Sequence, residues 1–105
     1  EGVVSMREEA ERTVREITQL EVRVYAEECD VRDSSAVTEF VRRAEESLGA
    51  IHLLVNNAGV TRDRALWRLT DEQWETVLET NLTGAFHMIR AVAPRFRAQG
   101  GGKIV

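Results

Sequence analysis

Apolar residues recur along the chain with two different periods, and the switching between them outlines a fold. Gly2-Val3-Val4 reads as the tail of a strand. Met6, Ala10, Val14 and Ile17 then stand three or four apart, the spacing of one helix face, and predict an amphipathic helix over 6–18. Ser5 and Glu8 have the form of a capping box at its start. Leu20, Val22, Val24 and Ala26 alternate with Glu21, Arg23 and Tyr25, which predicts a strand near a sheet edge with one face less buried. After candidate caps between Cys29 and Ser35, Val37, Phe40, Val41, Ala44 and Leu48 form a second helical stripe, and Gly49 is placed to end it.

Ile51-His52-Leu53-Leu54-Val55 is nearly continuous in apolar residues, the character of a central strand buried on both faces. His52 falls at its entrance. A polar loop over 61–68 follows, with Trp67 as its expected anchor. Thr70 and Gln73 form a second capping box. From there Trp74, Val77, Leu78, Leu82, Ala85, Ile89, Val92 and Phe96 predict one long helix, kinked near Pro94. Gly100-Gly101-Gly102 reads as a helix-to-strand turn, and Lys103-Ile104-Val105 as a strand beginning. Strands alternating with helices indicate an α/β fold with a parallel sheet.

Composition narrows the partners. The 105 residues carry a formal charge of −4, which argues against a surface that tracks nucleic-acid phosphates. No apolar run approaches the length of a membrane span, and the first residues do not resemble a signal peptide. Cys29 is the only cysteine, so no internal disulfide forms and a reducing, cytoplasmic setting is expected. At the end of an apolar strand it reads as a small hydrophobe. No His, Cys or acidic cluster has metal-site spacing, and no metal is expected.

Two places carry candidate chemistry. Asn56-Asn57-Ala58-Gly59 follows the most apolar strand. Ligands of open α/β sheets bind past the carboxyl ends of the strands, and two amides beside two small residues suit that place. A plain Asn-Gly turn reads from the same residues, and spacing alone does not separate the two. Asn81 stands on the apolar stripe of the long helix, four residues from both Val77 and Ala85. An unpaired buried amide there would cost roughly 1–3 kcal/mol, so a defined partner or water is expected; tying the helix to a neighbouring strand is the alternative role.

Together, Asp30-Val31, Leu54-Val55-Asn56-Asn57-Ala58-Gly59 and Thr80-Asn81-Leu82-Thr83-Gly84 resemble the middle third of a classical short-chain dehydrogenase/reductase, and the resemblance runs through essentially the whole chain. Asn57 to Asp63, Trp74 and Thr80 to Leu82 look most like the 3-oxoacyl-[acyl-carrier-protein] reductases of that family; acetoacetyl-CoA reductases and sugar or alcohol dehydrogenases read similarly. The resemblance implies a Rossmann-type, three-layer, doubly wound parallel sheet. It implies that Asp30 accepts from the adenine amino group and that the backbone of Val31 meets the same ring. Asn57, Ala58 and Gly59 would line the wall beside the adenosine ribose. Asn81 would be the Asn of the catalytic tetrad, its backbone carbonyl holding a water of the proton relay.

The family's glycine-rich loop, its catalytic Ser and its Tyr-x-x-x-Lys pair do not occur among these residues. Tyr25, the only tyrosine, has Cys29 four residues later. In a Rossmann strand order of 3-2-1-4-5-6, the segments correspond to strands two, three and four and the start of five, with the first strand's place left open at the centre. Residues 1–105 therefore read as an internal part of one NAD(P)-binding domain, expected to be inactive and unstable alone. The parent is expected to be an NAD(P)H-dependent reductase of a small-molecule or carrier-linked carbonyl substrate. Arg7, with no acid at the preceding strand tip, favours NADP(H) over NAD(H). The long helix implies a homodimer or homotetramer. A non-catalytic, SDR-like binding protein is the alternative from another class.

Overall fold

The structure is a computed structural model that describes residues 6–105. The expected strand tail at Gly2–Val4 and the Ser5 cap lie outside the described residues.

Helix α1 spans Met6–Thr18, with Glu8 and Glu9 in its first turn and Arg15 in its last, a charge order that suits the helix dipole. It ends in a turn in which Glu21 takes a left-handed φ of 61°. Val14 is half-buried, Ile17 is exposed, and α1 adds nothing to the buried core.

The strand expected over Leu20–Ala26 is not formed: residues 22–30 run on without helix or ladder. Alternation of side chains prepares a face, but a strand exists only where a neighbour pairs its backbone. Its topological neighbour, Gly2–Val4, is not among the described residues. Side chains hold the segment instead. Arg23 donates to the Leu48 carbonyl at 3.3 Å, and Glu27 accepts from both Tyr25 and Arg43. The Tyr25 and Phe40 rings lie 6.1 Å apart.

Helix α2 spans Ser34–Leu48. Asp33 caps it by accepting from the Ser35 and Ala36 amides, and Gly49 ends it at φ 91°. Strand β1, Leu53–Leu54, pairs in parallel with β2, Lys103–Ile104. Bonds from Lys103 to His52, from Asn56 to Val105 and from Val105 to Leu54 extend the ladder. Leu54 is buried, but Leu53 and Val55 are 54% and 57% exposed. The expectation of burial on both faces is thus corrected, because α2 and the helix at Gly84–Gln99 cover only the face Leu54 points to.

A single 3-10 turn at Leu66–Arg68 precedes α3, Asp71–Leu78. Trp67 is 86% exposed and does not anchor the loop. Thr70 and Gln73 make the expected capping box. The long helix then departs from the expected single run. A π turn at Glu79–Thr83 joins α3 to α4, Gly84–Gln99, which continues through Pro94. The irregularity therefore lies at Asn81 rather than at the proline. Gly100, at φ 89°, ends α4, and a β-carbon on Gly102 would run into the Phe96 ring.

The core is Val37 and Val41 from α2, Leu54 from β1, and Val92 and Phe96 from α4. Arg95 on α4 meets Glu45 on α2 at 3.1 Å, and Gln99 donates to the Ile51 carbonyl at 2.7 Å. No helix among the described residues is long and apolar enough to cross a membrane.

Candidate functional site

Three parts of the chain converge at the carboxyl end of β1: the loop at Cys29–Arg32, the run Asn56–Val60, and the π turn. Between them is a cleft of about 230 Å3, whose wall includes Cys29, Val31, Asn56, Ala58, Asn81 and Gly84.

Asn81 has the defined partner its sequence position called for. The Val60 amide donates to Asn81 Oδ1 at 2.8 Å, and Asn81 Nδ2 donates to the Val60 carbonyl at 2.9 Å. Two antiparallel bonds to one residue imitate a strand pairing and fix the Asn-Asn-Ala-Gly loop against the helix. The expectation that Asn81 is buried is corrected: it is exposed, because the described residues leave this face of the helix uncovered, with Trp74, Leu78 and Leu82 exposed along it. Gly59 passes close beneath it; a β-carbon there would stand 3.3 Å from Asn81 Oδ1.

Asp30 lies between two cleft residues and is engaged by Arg32. Its carboxylate accepts the Arg32 amide at 3.0 Å and the guanidinium at 2.8 Å. The Arg32 guanidinium, and then its amide, hold Asp30 down at a pKa of about 2. The Arg32 Nε is shared between both carboxylate oxygens, and the Asp30 side chain is 52% exposed.

Val31 is fixed from two sides. Its side chain rests on Gly84, and its carbonyl lies 2.7 Å from His87 Nδ1. Val31, Asn56 and Ala58 line the cleft, and Asn57 and Gly59 stand beside them, exposed. Adjacent residues of an extended run face opposite ways, and the sequence does not say which of two asparagines turns inward. Sequence reasoning also missed His87 and Arg32. A glycine inside a helix, disfavoured by about 1 kcal/mol, was the available signal for Gly84. Among the described residues no group of three His, Cys, Asp or Glu is placed to hold a metal.

Burial and the negative charge of Glu27 push the Cys29 thiol up, as do Asp30 and Asp33, opposite to what a thiolate nucleophile requires.

Comparison with known proteins agrees with this layout. The family model for short chain dehydrogenase matches residues 2–105. The chain is 35% identical over 99 residues to the 3-oxoacyl-[acyl-carrier-protein] reductase FabG of Staphylococcus aureus, covering 94% of this chain and 40% of that protein. It is 43% identical over 94 residues to an uncharacterized NAD-dependent oxidoreductase of Mycobacterium tuberculosis, covering 89% of this chain and 34% of that one. A crystal structure from Burkholderia xenovorans, assigned to the short-chain dehydrogenase/reductases, superposes with a TM-score of 0.86 at 33% identity, over 96% of this chain and 40% of that one. The chain thus spans about two fifths of the length of such relatives. It belongs to the short-chain dehydrogenase/reductase family.

Proposed function

We propose that residues 1–105 are an internal stretch of one Rossmann-type NAD(P)-binding domain, and that the parent enzyme reduces the keto group of a 3-oxoacyl thioester. The observation that carries this reading is the cleft itself: a loop bearing Asp30 and Val31, a small-residue loop and the Asn81 turn meet at the carboxyl end of β1. The 35% identity to a 3-oxoacyl-[acyl-carrier-protein] reductase supports the substrate class.

The donor and acceptor set fits the adenosine half of a dinucleotide. Asp30, half-exposed beside the cleft, would take the adenine amino group. The backbone of Val31 would meet the same ring, with Asn57, Ala58 and Gly59 beside the ribose. The cofactor, when bound, supplies a hydride; the residues of this chain bind and orient it. Both polar atoms of the Asn81 side chain are engaged by Val60. What Asn81 offers to chemistry is therefore its main chain, in a π turn of the kind often found at functional sites. Its carbonyl would hold a water of the proton relay. Tyr25 donates to Glu27 and is not the proton donor, so that group would come from outside these residues, and the 105 residues alone are inactive.

The outer face of α3, the π turn and α4 carries Trp74, Leu78, Leu82, Phe86 and Ile89, all exposed. This apolar stripe supports a homodimer or homotetramer formed through the long helix. NADP(H) is the proposed cofactor, with Arg7 exposed on α1.

A second reading, an NAD-dependent alcohol or sugar dehydrogenase, is favoured by the 43% identity to a protein named as NAD-dependent. The two separate in one experiment on the full-length protein. NADPH consumption with an acetoacetyl thioester supports the reductase. Absence of thioester turnover together with sugar oxidation by NAD+ would overturn it.

A further inference from the structure

The best-placed side chain without a role in the function above is His87. It stands on α4 one turn beyond Gly84, half-buried, with Nδ1 2.7 Å from the Val31 carbonyl. A carbonyl only accepts, so Nδ1 must carry the hydrogen. Both the Nδ1–H tautomer of the neutral ring and the imidazolium satisfy that condition.

The contact is long in sequence, 56 residues, and it acts on the same residue as Gly84. Gly84 lets the Val31 side chain sit against the helix; His87 takes the Val31 carbonyl from the next turn. Within the Asp30–Asp33 turn, the Asp33 amide donates to the Asp30 carbonyl at 3.0 Å, and the Arg32 amide to the Asp30 carboxylate. The turn is therefore rigid within itself, and the Gly84 and His87 contacts fix it as a unit onto α4.

We propose that His87 is a positioning residue for the nucleotide: through Val31 it sets where Asp30 and the Val31 backbone stand relative to Asn56 and Ala58 across the cleft. This rests on the assignment of Asp30 and Val31 to the adenine ring. Nucleotide affinity should depend on the Nδ1 donor, while the chemical step should not.

The test uses the full-length enzyme with His87→Leu, which removes the donor, and His87→Asn, whose side-chain amide places a donor where Nδ1 stood. NADPH and NADH binding are followed by fluorescence titration, turnover by kcat and KM, and the loop by hydrogen exchange at 30–33 without nucleotide. H87L is expected to weaken nucleotide binding about tenfold, speed exchange at 30–33 and leave kcat within about twofold; H87N is expected to restore affinity and protection. Unchanged exchange in H87L, or failure of H87N to restore it, overturns the proposal. Faster exchange rescued by H87N, with nucleotide affinity unmoved, keeps the tether but overturns the assignment of this loop to adenine. If H87L does not fold, His87→Phe keeps a ring without a donor and gives the same comparison.

Discussion

Gly84 carries Val31 directly on its bare α-carbon: a β-carbon there would lie 2.5 Å from Val31 Cγ2 and 3.0 Å from its Cβ. Val31 is β-branched and stiff about its first torsion, so it cannot swing aside as a long side chain would. Gly84→Val in the full-length protein is therefore expected to cost about 1–3 kcal/mol, the usual range for overpacking, and to displace the Asp30–Val31 loop. Chemical denaturation combined with nucleotide titration checks this. A stable variant with normal affinity would show that the close approach is not needed.

Asp30 and Arg32 make a prediction in pH. Arg32, through its guanidinium and then its backbone amide, lowers the Asp30 pKa from an ordinary 3.8 to about 2. A depressed carboxylate pKa contributes stability that is present above the unfolded value, near pH 4, and lost as pH falls through about 2. The pair is half-exposed, so the contribution is small. The titration itself is the readout: an NMR carboxyl titration should give a midpoint near 2, and Arg32→Ala should return it towards 3.8. No movement in R32A would mean that Arg32 does not hold the carboxylate.

The 105-residue polypeptide by itself is expected to lack cooperative stability. Its accessible surface is 8347 Å2, against about 5,900 Å2 for a compact protein of this mass. Its radius of gyration is 16.2 Å, against about 13 Å for a globular domain of this length. Among the described residues, five buried hydrophobic side chains form the core, β1 is paired on one edge only, and Ala10 and Ile17 of α1 are exposed. Calorimetry should show no sharp transition. A cooperative melt would contradict this picture of the isolated chain.

What the sequence disclosed and what it withheld divide by range. The ends of α1 and α2, the Thr70 capping box and the role of Gly49 follow from residues within one turn of each other, and they stand where spacing and capping place them. The ladder is different: Leu20–Ala26 alternates as a strand should, but pairing belongs to the neighbour. The same holds for Leu53 and Val55, whose apolar character anticipates a covering layer that the described residues do not provide. Asn81 was legible as an anomaly, and its need for a partner was met by Val60. Its exposure was not legible, because an apolar stripe shows which face asks for a cover and not whether the described residues provide one; Trp74, Leu78 and Leu82 are exposed with it. His87 escaped notice because its acceptor lies 56 residues away on a main-chain atom, which no pattern of side chains reports.

Asn81 offers the most direct test of the proposed enzyme role. In the full-length protein, Asn81→Leu removes both bonds to Val60 and frees the π turn while keeping the side-chain volume. NADPH binding and kcat with an acetoacetyl thioester are then measured side by side. Because a held proton relay is worth at least about a hundredfold, kcat is expected to fall by that much, and nucleotide affinity to weaken less steeply, since the same bonds hold the Asn-Asn-Ala-Gly loop against the helix. A variant that turns over at the parent's rate would contradict the assignment of Asn81 to the chemistry.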